Sequence, residues 1–169
     1  MNSIISYQKT TQLMVEIYVR SSTHFIINHY SKLLPDWDFY PETVVIILLE
    51  SAIPLNTVNR DVIKEKKRLR NEFLEWANII KFHCKKQKWL TEIIDPQDGM
   101  PIYSSQGKMG FDVVAVVHEL LRFDVNDTKD GCKMLHHPIK KTAIYPSLLL
   151  SDAKVKDMNY LLQKTLTTR

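Results

Sequence analysis

Apolar and polar residues alternate one by one through residues 14–20. Val15, Ile17 and Val19 fall on one side, Glu16, Tyr18 and Arg20 on the other. That two-residue period predicts a half-buried strand. Ser22 and Thr23 then offer N-caps for a helix running to about Leu34. Phe25, Ile26, Tyr30 and Leu33 form its apolar face, and Pro35 ends it. Residues 43–49 are almost wholly apolar and rich in β-branched side chains, from Thr43 through Val44, Val45, Ile46 and Ile47 to Leu49. They predict a central strand covered on both faces. Residues 51–59, with Pro54 and Asn56, read as a loop.

The period then changes. Leu69, Phe73, Trp76, Ala77, Ile80 and Cys84 recur at intervals of three and four and predict one long helix over 61–88. Asp95 and Pro96, followed by Asp98 and Gly99, mark a turn. Residues 111–123 predict a short helix capped by Asp112, with Val113, Val116, Val117 and Leu120 inward. Their β-branched content keeps a strand open there. Strands are expected over 132–137 and 142–150. A last helix over 152–164 turns Val155, Met158, Leu161 and Leu162 inward. Helices and strands mix without a regular βαβ repeat, which gives an α+β class in a single domain over 1–169.

Composition narrows the function classes. The chain has 169 residues, 44% hydrophobic and 25% charged, which suits a globular domain and argues against disorder. The net charge of +4 is mildly basic. Trp37, Trp76 and Trp89 form no stripe with basic residues, so a nucleic-acid platform is not expected. No apolar run approaches the ~20 residues of a membrane span. Cys84 and Cys132 are the two cysteines, too few for a disulfide scaffold, and a reducing compartment is the simpler reading. Residues 1–9 hold one lysine and no arginine, unlike an Arg-rich transit peptide, and no secretory signal is present.

Few residues point to chemistry. Lys64, Lys66, Lys67, Arg68 and Arg70 read as a solvated face of the long helix. Asp95 and Asp98 read as turn caps rather than a catalytic pair. Gly99, Gly107, Gly110 and Gly131 fit neither a dinucleotide-binding nor a P-loop spacing, and no serine nucleophile elbow occurs. The reactive cluster is Asp130, Gly131, Cys132, Lys133, His136 and His137. Positive neighbours favour a cysteine thiolate, which is both nucleophile and soft metal ligand. Strand parity would put Cys132 and His136 on one face and His137 on the other. A zinc site from Cys132, His136 and Cys84 lacks the paired cysteine spacing of strong sites. Cys84, on an apolar helix face, reads as a small buried hydrophobe. Taken alone, the cluster reads as an edge cysteine with solvated histidines.

An ordered series of motifs says more. The long helix ends at Trp89. There follow Ile94, Asp95 and Pro96, then Gly99, then Phe123, Val125 and Asp127, then Gly131, Cys132 and Lys133, then His137 and Thr142. This series resembles the cobalamin-trafficking proteins of the CblD type (the methylmalonic aciduria and homocystinuria type D family), most strongly over 69–158. The resemblance implies a sandwich similar to the nitroreductase and flavin-reductase fold, without a flavin site. It implies no catalysis, no intrinsic metal, and no cofactor bound by the chain alone. The implied partner is a CblC-type cobalamin-processing protein, and Cys132 is the implied thiolate ligand to the cobalt of the cobalamin shared with it. The family pattern has two adjacent cysteines where this chain has one. Alignment on Gly131 matches Cys132 to the first, cobalt-ligating cysteine. Alignment on Lys133, His137 and Thr142 matches it to the second. The long N-terminal extension of the family is not seen, so the chain reads as close to a bare domain. Loss of one cysteine raises a second expectation, a structural accessory subunit of a large mitochondrial assembly, respiratory or ribosomal. The expected compartment is the mitochondrion, with the cytoplasm as the alternative. A flavin- or thiol-dependent enzyme ranks last, because no flavin-phosphate motif is present.

Overall fold

A computed structural model describes residues 4–8, 13–128 and 130–166. In chain order the elements are β1 (Ile4–Gln8), β2 (Met14–Ser21), α1 (His24–Leu33), β3 (Thr43–Glu50), α2 (Arg60–Lys86), β4 (Thr91–Ile94), α3 (Val113–Leu121), β5 (Asp124–Asp127), β6 (Lys133–His136), β7 (Ile144–Ser151) and α4 (Val155–Leu166). The class is α+β. A five-stranded antiparallel sheet has the order β1-β2-β3-β7-β4, and β5 and β6 form a separate hairpin.

The apolar run at 43–49 becomes β3, in the middle of the sheet, and Thr43 to Leu49 are all buried. Its side chains alternate between two cores. Val45, Ile47 and Leu49 join one with Leu69, Phe73, Ala77, Ile80 and Cys84 of α2 and Met158 and Leu162 of α4. Val44, Ile46 and Leu48 join the other with Ile26 and Leu33 of α1, Val116 and Val117 of α3, and Leu135 of β6. The sheet is thus the middle of three layers, as a strand apolar on both faces requires. Helix α2 carries the chain from β3 to β4. β3 and β4 both run antiparallel to β7 between them, so they are parallel to each other and form a split crossover unit.

Capping follows the sequence closely. Thr23 Oγ1 accepts from the Ile26 N–H at 3.1 Å, Asn59 Oδ1 from Val62 at 2.9 Å, and Asp112 Oδ1 from Ala115 at 3.0 Å. Each satisfies one of the first-turn amides that the helix itself cannot.

Several expectations shift. Phe25 stands 46% exposed and stacks on His29, so the buried face of α1 is carried by Ile26 and Leu33. Trp76 is only half-buried, at the margin of the α2 core. Strands β1, β4 and β5 were not foreseen as separate elements. Residues 132–137 and 142–150 shrink and shift to Lys133–His136 and Ile144–Ser151, which leaves Cys132 just outside its strand.

Candidate functional site

The β5–β6 hairpin carries the cysteine. Asp124, Asn126 and Asp127 are poor strand formers, and they become a strand only by pairing with β6, from Asp124 opposite His136 to Asp127 opposite Lys133. The tip closes through three bonds. The Thr128 N–H donates to the Cys132 carbonyl at 2.7 Å, Gly131 N–H to the Thr128 carbonyl at 3.0 Å, and Cys132 N–H to the Thr128 hydroxyl at 3.2 Å. Gly131 has φ +76°, a region glycine enters without a Cβ penalty. The result is an exposed thiol on a hydrogen-bonded tip. Lys133 beside it is exposed, and so are Asp127 and Asp130, so the tip carries both signs of charge. The hairpin is fastened by two successive residues of β6, which point to opposite faces: Leu135 enters the α1/α3 core, while Met134 packs against the α2/α4 core.

The two histidines do not join the cysteine. Four residues of extended chain, about 13 Å, separate Cys132 from His136. His137 is 4% exposed and faces the sheet. Its Nε2–H donates to Glu16 Oε2 at 3.2 Å, and its Nδ1 accepts the Ile139 and Lys140 amides at 3.1 and 3.0 Å. Two backbone donors at Nδ1 assign the proton to Nε2. Phe123 packs edge-on to its ring at 5.0 Å, and the Tyr18 hydroxyl donates to the same Glu16 oxygen at 2.8 Å. Burial pushes the Tyr18 hydroxyl pKa up, and the bond to Glu16 adds to this. Next to it, Lys140 Nζ donates to Glu50 Oε1 at 2.7 Å and the Met14 amide to Glu50 Oε2 at 2.9 Å. Burial works against the Glu50 charge, yet these bonds hold its carboxyl below the ordinary value. The His137 network therefore ties the turn after β6 to β2 and β3; its role is to position the hairpin.

Cys84 lies in the opposite layer. Its thiol donates to Met158 Sδ at 3.9 Å, and burial pushes its pKa up. It cannot join Cys132 in a metal site. Among the described residues no group of three or more His, Cys, Asp and Glu is placed to hold a metal ion.

The 95–99 turn is a cap and an anchor. Asp95 Oδ1 accepts from the Gln97 amide at 3.0 Å and Asp98 Oδ1 from Met100 at 2.9 Å. Asp95 also takes a two-pronged bond from Arg70, at 2.8 Å from Nε and 2.5 Å from Nη2, which holds its carboxyl below the usual range despite burial. Arg70 is therefore not part of a free solvated face. Gly99 has φ +73°, and a Cβ there would lie 2.2 Å from the Phe111 carbonyl oxygen. Only glycine fits.

No protein-family model matches the chain, and no curated protein matches it in sequence. Among the described residues no helix is long and apolar enough to cross a membrane.

Sequence reasoning missed Glu92. It is 1% exposed in β4 and accepts from the Ile93 and Tyr103 amides at 2.7 and 3.1 Å, the Ser104 amide at 2.6 Å, and the Ser104 hydroxyl. A carboxylate with that many donors is a structural anchor for the 101–105 segment. Nothing in the local pattern announces it.

Proposed function

We propose that the protein is a non-catalytic adaptor of cobalamin trafficking, which docks on a corrinoid-carrying partner and offers Cys132 as a thiolate ligand to cobalt. The observation that carries this reading is the placement of Cys132: exposed, at the tip of a hairpin whose loop is held by its own hydrogen bonds. Cobalt in an oxidised corrinoid accepts a lone pair from a soft thiolate. Cys132 releases its proton to solvent and donates sulfur electrons to the partner's metal. An exposed tip suits this, because the ligand must reach a metal held by another protein. The motif series from Trp89 to Thr142 supports the same reading, which carries with it a nitroreductase-like sandwich without a flavin site.

A second reading is a structural accessory subunit of a large mitochondrial assembly. What favours it is the single cysteine, Cys132, where the family pattern that the chain resembles has two. Native purification separates the two. A tagged chain that elutes with a small corrinoid-binding protein supports the adaptor. Elution within a megadalton respiratory or ribosomal particle, in mitochondrial fractions, supports the subunit and overturns the adaptor.

A further inference from the structure

β4 is four residues long and β7 is eight. β4 ends where Ile94 faces Leu148, so residues 144–147 have β3 on one side and no strand on the other. The two helical layers do not close that gap. It remains a cleft of about 630 Å³, walled by α2, the start of α3, the 95–99 turn and the start of β6. That volume falls within the roughly 300–1,000 Å³ of small-molecule pockets.

The lining is chemically one-sided. Leu55, Val113, Leu135, Ile144 and Tyr145 supply a buried apolar floor. Lys66, Lys67 and Arg70 stand on the α2 wall and Lys133 on the β6 wall, and no carboxylate lines the cleft. The chain as a whole has 19 acidic residues against 23 Lys and Arg, so such segregation is not a reflection of composition. Asp95 holds Arg70 in place from outside the lining. Lys66, Lys67 and Lys133 form no salt bridge with any described residue. Cations on two walls over an apolar floor focus potential inward.

We infer that this cleft binds a small phosphate ester with an apolar or aromatic body. The body lies on Leu135 and Tyr145, and the doubly charged head is held between Lys66, Lys67 and Lys133. Three lysines match a dianionic phosphate better than a single carboxylate. The inference does not use the Cys132 thiol and stands apart from the adaptor reading.

The probes are 1-naphthyl phosphate and its neutral parent 1-naphthol, titrated into the full chain by calorimetry and by amide chemical shifts. The phosphate binds, moves the Val113, Leu135 and Tyr145 amides, and weakens as salt rises. Removing charge in Lys66→Gln with Lys67→Gln, or in Lys133→Gln, lowers affinity about tenfold or more, the weight of one charge-assisted hydrogen bond. Lys154→Gln, outside the cleft, and Cys132→Ser bind as the native chain does. Equal binding of 1-naphthol overturns the inference, as does inorganic phosphate binding as tightly as the ester. So does a response of the shifts elsewhere, or indifference of affinity to the three lysines.

Discussion

The two cysteines report two kinds of surface made by one chain. Cys84 sits on a helix face where Leu69, Phe73, Ala77 and Ile80 are also fully buried, and its thiol meets Met158. Cys132 sits on a hairpin of short, polar strands with solvent around it. The first is inert because burial disfavours its anion and closes off reagents. The second is open because three hydrogen bonds shape the loop without covering the sulfur. The lesson is that cysteine chemistry here is decided by layer: the α2 layer makes stability, the hairpin presents a group.

The largest contrast is expected in labelling. Under native conditions a thiol reagent modifies Cys132 more than about 1,000-fold faster than Cys84, because Cys84 waits for an opening that costs several kcal/mol. Peptide mass mapping over time reads both rates; similar rates would erase the distinction between the layers.

Stability should divide in the same way. Phe73→Ala, on the same buried face of α2 as Cys84, costs about 3–5 kcal/mol. Cys132→Ala stays within about 0.5 kcal/mol, as surface changes do. Urea midpoints of the two variants test this, and a large loss from Cys132→Ala would mean that the tip supports the fold.

A finer version uses two glycines with the same backbone sign. Gly99→Ala meets both a positive φ and the Phe111 carbonyl, and should cost about 3 kcal/mol. Gly131→Ala meets only the φ, with nothing within 4 Å, and should cost about 1 kcal/mol. Thermal melts in the reverse order would contradict the geometry.

The smallest effect concerns acid. Glu65 fastens α2 to the loop after β3, accepting from Arg68, from the Ala52 amide at 2.9 Å and from the Ser51 hydroxyl at 3.3 Å. The Arg68 bonds lead in lowering its pKa to about 2, against 4.5 unperturbed. Because the folded value is the lower one, its stabilisation is complete above the unfolded value and is lost as pH falls from about 4.5 to about 2. Glu65→Gln should flatten that limb of the pH–stability curve.

The α2 layer was legible in the sequence because its burial is periodic: residues 69–84 carry the helical stripe, and β3 is apolar from Val44 to Leu49. The exposed cysteine and the Asp95 turn were legible from glycine and aspartate chemistry. β4 was not, because Thr91 and Glu92 are polar residues whose burial is compensated by Ser151, Tyr103 and Ser104 from elsewhere in the chain. β5 was not, because aspartates seldom signal strands. His137 read as solvated, yet its ring is held by Glu16, 121 residues away. The cleft beside β7 is lined by six separate stretches of the chain, and no local pattern contains it.

The role proposed for Cys132 is to ligate a partner's cobalt. The direct measurement is the visible absorption spectrum of a CblC-type protein loaded with hydroxocobalamin, recorded as this chain is added. The native chain should shift the corrinoid bands to those of a cobalt–sulfur bond with saturation at one equivalent, and Cys132→Ser, whose hydroxyl is a harder and less acidic ligand, should leave them unmoved. An identical spectrum with native chain and Cys132→Ser, whether shifted or not, would contradict the account.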